Sequence, residues 1–428
     1  MPSRALAAIL LLAACGVDPD DGRTVVTFPG SALGEEGRLL QRQIVRFMEE
    51  NPDIRVDLQR TPDDATQRHQ LYVQRLNARS HDPDILQLDV IWTPEFAAAG
   101  WLLPLDEAAV DTDEFFPATL EANRWWDGQL FAVPWFVDVG MLYWRTDLLS
   151  AAPATMDALT RGARAGMSDS VPRGIVWQGA RYEGLVTTFL EYLGGFGGEI
   201  MTSDGRVVVD SPQAIRALTF MHAQIHDLGI APEAVLTWHE EEARFAFQNG
   251  TAVMMRNWPY AYALLASDDS RVAGRFSVAP MPAAPGGHPT AALGGNQLAI
   301  NARSDAPEAA LRLIAFLTAT DQMLERAELA GQFPTRHALY DDPRLAASLP
   351  MPADQARAII EAATPRPVIP IWTELSEILQ IELHRALVGQ ASPEVALGRA
   401  ARAMTEVVDE AGIPELQERM RRRGVALR

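Results

Sequence analysis

Apolar residues in the first part of the chain recur with two periods, one typical of strands and one typical of helices. Residues 24–28 are β-branched or aromatic and predict a first strand, and residues 54–58 alternate between apolar and polar side chains as a second. Between these strands, apolar residues recur three and four positions apart. This spacing predicts a helix that ends at Asn51 and Pro52.

A second helix is predicted over residues 67–78 and a third strand over residues 84–90. The order strand, helix, strand, helix, strand is typical of a parallel, doubly wound α/β sheet, in which ligands bind beyond the carboxyl ends of the strands. Glu35, Asp63 and Asp89 lie at or just after the ends of the predicted strands. We therefore expect carboxylates at the edge of the sheet where ligands bind.

The rest of the chain alternates between helices and short strands. An extended segment over residues 130–144 contains a proline, and we expect it to carry the chain from one lobe to another. The pattern further predicts helices over 182–192, 212–228 and 240–248, strands over 251–255 and 298–300, a proline-rich connector over 278–289, and a mostly helical tail from residue 352.

Composition indicates a folded protein with more than one lobe. The chain has 428 residues, of which 48% are hydrophobic and 22% charged, and this length exceeds the size at which a single core stops growing. The formal net charge of −19 makes nucleic acid an unexpected partner, because phosphate binding needs a basic surface. The chain also has ten tryptophans, which matter because aromatic faces stack on sugar rings, although most tryptophans in proteins are core residues.

The N-terminus has the pattern of a bacterial lipoprotein signal. Arg4 is followed by an apolar stretch over residues 5–12 and then by Ala13-Ala14-Cys15, which contains the only cysteine in the chain. This apolar stretch is too short to span a hydrocarbon core of about 30 Å. We therefore expect residues 1–14 to be a signal peptide, Cys15 to carry a lipid, and residues 15–22 to be a spacer.

Six motifs follow one another along the chain: residues 28–36 (FPGSALGEE), 88–92 (LDVIW), 95–102 (EFAAAGWL), 133–140 (VPWFVDVG), 257–262 (NWPYAY) and 365–367 (PRP). Together and in this order, they resemble the motifs of the trehalose/maltose-binding lipoproteins of bacterial and archaeal ABC importers. The resemblance covers nearly the whole chain after the predicted signal.

The resemblance implies an α/β fold of the two-lobed periplasmic-binding-protein type, like that of maltose-binding proteins. Three crossings would join the lobes, near Asp138, Ala291 and Arg336, and the lobes would close on a sugar by a hinge motion. The implied N-terminal lobe combines residues 23–137 with 292–335, and the C-terminal lobe combines 138–291 with 336–428.

A neutral disaccharide presents hydroxyl groups that both donate and accept hydrogen bonds, so its site needs charged partners and flat aromatic surface. By motif, the resemblance implies contacts from both lobes and from the first crossing. The expected ligand-binding residues are Glu35, Asp63, Arg68, Asp89, Phe136, Asp138, Trp258, Tyr260, Gly294, Gly295 and Arg366.

Three positions depart from the relatives in this family. Asp63 stands where they have threonine, Phe136 where they have tyrosine, and Asn296 where they have tryptophan. The change at Phe136 removes a hydroxyl donor, and the change at Asn296 removes a stacking face. Because a single polar group in a pocket can change discrimination by orders of magnitude, the identity of the sugar stays open.

The residues themselves support these roles to different degrees. Asp89 and Asp138 interrupt apolar runs, where an unpaired carboxylate is costly. Trp258 and Tyr260 alternate, so both are expected to face one side of an extended segment, with core packing as the alternative. Arg366 lies between two prolines that hold the backbone extended. For the remaining polar residues, helix capping, turns and surface ion pairs are the alternatives.

Other classes of function compete for the same residues. Carboxylates beside aromatic side chains also occur in glycoside hydrolases, but the lobes implied by the motif order are typical of binding proteins. A metal site is not expected, because His222 and His226 share a helix face without a third ligand. No cofactor is expected either, since the chain has neither a P-loop nor a G-x-G-x-x-G motif.

The sequence therefore predicts a non-catalytic, monomeric receptor that is lipid-anchored in the cell envelope. We expect it to capture an α-glucosidic disaccharide, with trehalose as the first candidate and maltose as the second, and to deliver it to an ABC permease. A different sugar or polyol, a peptide, a polyamine or a glycerol phosphate remains the alternative ligand. Arg68 and Arg366 argue against a polyamine, and the scarcity of cations near Asp89 argues against a phosphate.

Overall fold

The computed structural model describes residues 22–30, 36–62, 64–124 and 128–412. The predicted signal peptide, Cys15 and most of the spacer lie outside these residues. No helix in this part of the chain is both long and apolar enough to cross a membrane. The strands here are β1 (Thr24–Gly30), β2 (Ile54–Arg60), β3 (Ile85–Asp89), β4 (Ala132–Val139), β5 (Met141–Arg145), β6 (Arg173–Val176), β7 (Ala252–Asn257), β8 (Phe276–Ala279), β9 (Leu293–Ile300) and β10 (Phe333–Pro334).

Helices cover both faces of the sheets and account for most of the remaining residues. They are α1 (Glu36–Glu50), α2 (Ala65–Asn77), α3 (Thr93–Ala98), α4 (Pro117–Glu121), α5 (Met156–Gly166), α6 (Glu183–Gly195), α7 (Pro212–His226), α8 (Glu240–Gln248), α9 (Tyr260–Ala266), α10 (Pro307–Leu317), α11 (Thr320–Ala330), α12 (Pro343–Ser348), α13 (Ala353–Glu361), α14 (Trp372–Leu387) and α15 (Pro393–Glu410).

The fold is a two-lobed α/β structure, as the resemblance implies. The first lobe is built around a sheet with strand order β10-β4-β9-β3 and the neighbouring pair β1 and β2. The second lobe is built around a sheet with strand order β6-β7-β5-β8. In the second lobe, α6 packs against α7 and α14, and α14 packs against α15.

The predicted order β1-α1-β2-α2-β3 is confirmed, but the parallel sheet is confirmed only in part. β1 and β2 pair in parallel. β3 instead pairs antiparallel with β9, and Asp89 lies opposite Asn296. The partner strand comes from a segment far along the chain, so the local pattern around β3 could not reveal its direction.

Helix α1 shows why the spacing of apolar residues predicts which side chains are buried. Leu39, Leu40, Ile44 and Phe47 recur at helical spacing, and all four are buried. Burial of each such side chain contributes about 1.5–3 kcal/mol, which fixes the helix on the sheet and on α11.

The chain crosses between the lobes where three segments meet. β4 ends at Val139 in the first sheet and β5 begins at Met141 in the second, so the chain passes from one sheet to the other at Gly140. The Gly140 N–H donates to the carbonyl of Ala292, just before β9, at 3.3 Å. Thr364 joins the same place, because its N–H donates to Ala291 at 2.8 Å and its carbonyl accepts from Leu293 at 2.9 Å.

The two helices that follow β10 pack against elements of the first sheet's lobe. Helix α12 packs against α11, and α13 packs against β4. Both partners belong to the first lobe. Helices α14 and α15, which follow Thr364, pack against second-lobe helices.

Candidate functional site

A cavity of about 350 Å³ lies between the two lobes, at the carboxyl end of β3 and beside the first crossing. Its volume falls in the range of about 300–1,000 Å³ that is usual for small-molecule sites. The described residues that line it are Asp64, Ala65, Gln67, Arg68, Asp89, Asp138, Tyr182, Glu183, Gly184, Thr187, His239, Glu240, Glu241, Glu242, Trp258, Tyr260, Gly294, Gly295, Asn296 and Arg366.

Arg366 is the central charged group of this cavity. Its Nη2 donates to Asp89 Oδ1 at 3.1 Å and to the Leu293 carbonyl at 3.3 Å, and its Nη1 donates to Glu183 Oε1 at 2.8 Å. Arg366 is 3% exposed. Burial by itself would lower the pKa of Arg366, but the two carboxylates outweigh burial and the pKa is raised. The guanidinium is therefore permanently charged and holds β3 against the second lobe.

Glu183 is held on its other side by the second lobe. It accepts a hydrogen bond from Trp372 Nε1 at 3.3 Å, and the Ser376 hydroxyl also donates to it. A buried charge is tolerated only when its partners satisfy it, and this carboxylate has three of them with Arg366. Glu183 begins α6, directly after Tyr182.

Asp138 differs from the other carboxylates because no hydrogen-bond partner for it exists among the described residues. Its side chain is partly accessible from the cavity. Burial, together with the charges of Glu36, Asp89 and Glu240, raises the pKa of Asp138 to about 7, although Arg256 opposes this change. Near pH 7 both protonation states of this carboxyl group are therefore populated. The ionised form accepts a hydrogen bond and the protonated form donates one, so either can bind a ligand hydroxyl.

Trp258 presents the exposed aromatic face of the cavity. One face of its ring lies over the guanidinium of Arg256, 3.9 Å from Cζ to the ring centroid, and its Nε1 donates to Glu240 at 3.4 Å. The predicted extended segment is wrong beyond Asn257, because β7 ends there and Tyr260 begins α9. Both aromatic residues nevertheless line the cavity.

Tyr260 is less available than Trp258. It is 9% exposed, and its hydroxyl donates to Glu241 Oε1 at 2.7 Å. Glu241 in turn forms an ion pair with Arg244 at 2.5 Å. The Tyr260 ring is therefore held in place through its hydroxyl group, and little of its face is open for stacking on a ligand.

The glycine pair on β9 lets neighbouring groups approach the backbone. A Cβ on Gly294 would lie 3.4 Å from both Asp138 Cβ and Trp258 Cζ3. Gly295 has φ of 115° and sits where β4 shifts its register against β9, and a Cβ there would lie 2.3 Å from the Phe136 carbonyl. A side chain at Gly295 would therefore be strained. The next residue, Asn296, lines the cavity.

Several side chains reach across the cleft from one lobe to the other. His239 Nε2 lies 3.4 Å from Asp64 Oδ2, and the Thr373 hydroxyl donates to Glu95 Oε2 at 2.6 Å. With the Arg366 contact to Asp89, these contacts connect the two lobes across the cleft. Asp64 also accepts from the Gln67 N–H at the start of α2.

The structure brings together eight of the eleven predicted site residues at one cavity. Arg68 is one of them, and it is 6% exposed, donates to the Pro62 carbonyl at 3.1 Å and lies over the Trp92 ring at 5.5 Å. Phe136 does not line the cavity, because it is 4% exposed and its ring packs on Trp135. The other predicted positions, Glu35 and Asp63, lie outside the described residues.

Sequence reasoning missed part of the second-lobe side of the cavity. Tyr182, Glu183 and the run of glutamates that begins α8 were not singled out. Acidic residues in the first turn of a helix have an ordinary explanation in the helix dipole, so their signal was weak. The Tyr182 hydroxyl is a stronger indication, because the residue is 4% exposed and the hydroxyl has no hydrogen-bond partner in the described structure.

Two further cavities adjoin this one. A cavity of about 480 Å³ lies on the other side of Arg366, against the glycine-rich turn after α6. Another of about 440 Å³ shares Glu183 and lies between α2 and α14. Arg366 is shared with the first of these cavities, and Glu183 and Ala65 are shared with the second. Arg366 and Glu183 are hydrogen-bonded to each other.

Comparison with known proteins gives consistent matches. The sequence model of the bacterial extracellular solute-binding proteins matches residues 31–324. A probable ABC transporter-binding protein of Deinococcus radiodurans is 40% identical over 306 residues, which cover 69% of this chain and 72% of that protein.

Solved structures are similar over a larger part of the chain. Maltose-bound MalE3 of T. maritima superposes with a TM-score of 0.87 and 43% identity, over 90% of this chain and all of that chain. A solute-binding protein of Thermotoga lettingae bound to α-D-tagatose superposes with a TM-score of 0.82 at 24% identity, which shows the fold alone.

Proposed function

Because this chain belongs to the family of bacterial extracellular solute-binding proteins, we propose that it captures an α-glucosidic disaccharide in the interlobe cavity and delivers it to an ABC permease. Maltose and trehalose are the first candidates. The T. maritima relative with maltose bound supports maltose, and the six sequence motifs support either sugar. The proposed role is binding without chemistry.

The observation that carries the proposal is the composition of the cavity between the lobes. It combines the partly exposed Trp258 face with charged groups that are already fixed by Arg366. A sugar needs this combination, because its C–H faces stack on aromatic rings and its hydroxyl groups bind best to charged partners. Preorganised partners also lower the entropy lost on binding.

The charge of the cavity favours a neutral ligand. Seven carboxylates and two arginines line it among the described residues. Arg366 is already bound to two carboxylates, and Arg68 donates to a backbone carbonyl. A phosphate or another anion would meet net repulsion here, whereas sugar hydroxyl groups can donate to the carboxylates.

Isothermal titration of the protein with maltose, trehalose, sucrose, palatinose, glucose, tagatose and mannitol tests the function. We expect saturable heat with a glucose disaccharide, loss of that heat in Trp258→Ala, and an unchanged sugar by chromatography. Saturable binding of tagatose or mannitol instead would reassign the ligand to another sugar or a polyol. Released monosaccharide would replace the binding role with hydrolysis.

We also propose that Cys15 carries the lipid that anchors a monomeric receptor to the cell envelope. The support is the apolar stretch before the only cysteine. Expression of the full chain and of Cys15→Ser in a bacterial host separates the alternatives. The wild-type protein is expected in the membrane fraction with incorporated labelled palmitate, and the variant is expected without label.

For the lobe boundaries, we propose crossings at Gly140, at Ala292 and near Thr364. The third differs from the expected position near Arg336, because α12 and α13 pack against first-lobe elements. Hydrogen exchange with and without sugar tests this assignment. The amide hydrogens of residues 343–361 should show the same change in exchange on sugar binding as those of the first lobe. If they change together with those of α14 instead, the third crossing lies near Arg336.

A further inference from the structure

A fully buried ion pair lies beneath the proposed sugar site. Glu191 on α6 and Arg256 on β7 both have exposed fractions of 0%. Arg256 Nε donates to Glu191 Oε2 at 2.8 Å and its Nη2 donates to Oε1 at 2.5 Å, while its Nη1 donates to Gln178 at 3.2 Å. Such pairs seldom add stability compared with apolar residues, because both charges lose their hydration.

The pair contacts the aromatic face of the cavity from behind. The guanidinium carbon of Arg256 is 3.9 Å from the centroid of the Trp258 ring. Neither Glu191 nor Arg256 lines the cavity, so a ligand on Trp258 would not touch them. The planar guanidinium can hold the indole ring flat, which a flexible ammonium group cannot do.

The same pair contacts two of the segments that cross between the lobes. Glu191 Oε1 accepts from the Ala292 N–H at 3.2 Å. A Cβ on Gly140 would lie 1.6 Å from Glu191 Oε1 and 2.6 Å from Arg256 Nη2. The first crossing therefore lies directly against the pair, and glycine is required there because any side chain would displace it.

We infer that the Glu191–Arg256 pair positions the Trp258 face relative to the Gly140 and Ala292 crossings, so that both residues determine sugar affinity without contacting the sugar. This inference rests on the proposed sugar-binding function. The physical reason is geometric. One rigid, doubly hydrogen-bonded unit touches the stacking surface on one side and the hinge backbone on the other, so neither can move without breaking its bonds.

A thermodynamic cycle with maltose and trehalose tests the inference. Arg256→Met removes the planar guanidinium group and keeps an apolar side chain. We expect this change to weaken the affinity for the sugar about tenfold or more. In a Trp258→Phe background the same change should have less than about a third of that effect, because Arg256 acts through the indole ring. Arg256→Lys should not restore affinity, since an ammonium does not reproduce the planar fork.

A matched control separates positioning from stability. Arg145 is also a buried arginine of the second lobe, but it pairs locally with Asp147 and lies away from the cavity. Arg145→Met should lower the melting temperature and leave the dissociation constant unchanged. Arg256→Met should change both.

Gly140→Ala provides a second test, in which no cavity-lining residue and neither residue of the ion pair is substituted. Its new methyl group should displace Glu191 and weaken sugar binding as Arg256→Met does. The inference is overturned if Arg256→Met and Gly140→Ala fold and bind the sugar like wild type, or if Arg256→Met has equal effects in both backgrounds. If the wild-type protein binds no sugar at all, the proposed sugar-binding function is wrong. This result differs from one in which the wild-type protein binds sugar and the variants bind it equally well, which overturns only the inference about the ion pair.

Discussion

Arg366 Nη2 donates to Asp89 Oδ1 at 3.1 Å, and this bond joins the carboxyl end of β3 in the first lobe to the segment that leads into α14 in the second. The other arm of the guanidinium holds Glu183. One side chain therefore satisfies a carboxylate from each lobe. The same side chain therefore links the two lobes and balances charge within the cleft.

Removal of this guanidinium should impair both binding and stability. In Arg366→Met, Asp89 and Glu183 would face each other without a cation, and breaking such a buried network costs about 3–5 kcal/mol. We expect the affinity for maltose or trehalose to fall about 100-fold or more. Titration calorimetry and thermal unfolding measure the two effects. Arg344→Met is the control, because Arg344 is exposed.

Asp138 should make stability depend on pH in a defined direction. Its pKa is raised from 3.8 to about 7, so the folded protein holds this proton more tightly than the unfolded chain. Its contribution to stability is therefore lost as pH rises from about 4 to about 7. Asp138→Asn should melt a few degrees higher than wild type near pH 8 and at the same temperature near pH 4. Asp269→Asn, an exposed position, should show no such difference.

His239 should make closure depend on pH. The Asp64 carboxylate beside it raises the pKa of His239 above 6.5, with smaller contributions from Glu240 and Glu242, while burial opposes them. Protonated His239 therefore stabilises the closed arrangement fully below pH 6.5, and this contribution is lost as pH rises through the raised pKa. The pair is half-exposed, so the effect on affinity should be only about two- to fivefold.

The measurement is the dissociation constant at about pH 6 and pH 8.5 for wild type and His239→Gln. Asp138 titrates in the same pH range in both proteins. The ratio of the dissociation constants of His239→Gln and wild type at each pH therefore reports the contribution of His239 alone. The ratio should approach one at the higher pH. His81→Gln removes an exposed histidine that pairs with Asp305, and a pH-dependent ratio for this control would contradict the assignment.

Asn296 should select for a hydroxyl group on the ligand. Asn296 lines the cavity, and its Oδ1 is buried without a hydrogen-bond partner in the described structure. An unsatisfied buried acceptor costs about 1–3 kcal/mol. A ligand hydroxyl that donates to it would recover this energy. We expect Asn296→Leu to weaken sugar binding about tenfold.

Monodeoxy sugars identify the hydroxyl concerned. For one of them, wild type should lose affinity while Asn296→Leu should not, because the variant no longer has the acceptor. The exposed Asn77→Leu should discriminate like wild type. Equal losses in all three proteins for every deoxy sugar would show that Asn296 makes no bond to the ligand.

The sequence by itself determined the first elements of the chain and singled out Asp89. The predicted positions of β1, β2, α2 and β3 agree with the structure to within two residues at each end, because side-chain periodicity depends only on neighbours within a few residues. Asp89 was identifiable because a carboxylate in an apolar strand is costly without a partner. The family resemblance added Trp258 and Arg366, which no local pattern distinguishes from core or surface residues.

Only the tertiary structure decided which groups meet. Arg366 binds Asp89 and Glu183 across large separations in the chain, and β9 reaches β3 in the antiparallel direction. Phe136 turned inward to Trp135, although its neighbour in the motif, Asp138, faces the cavity. These outcomes depend on how two lobes pack and on where a bulge falls in one strand, and that information is absent from the periodicity of any single segment.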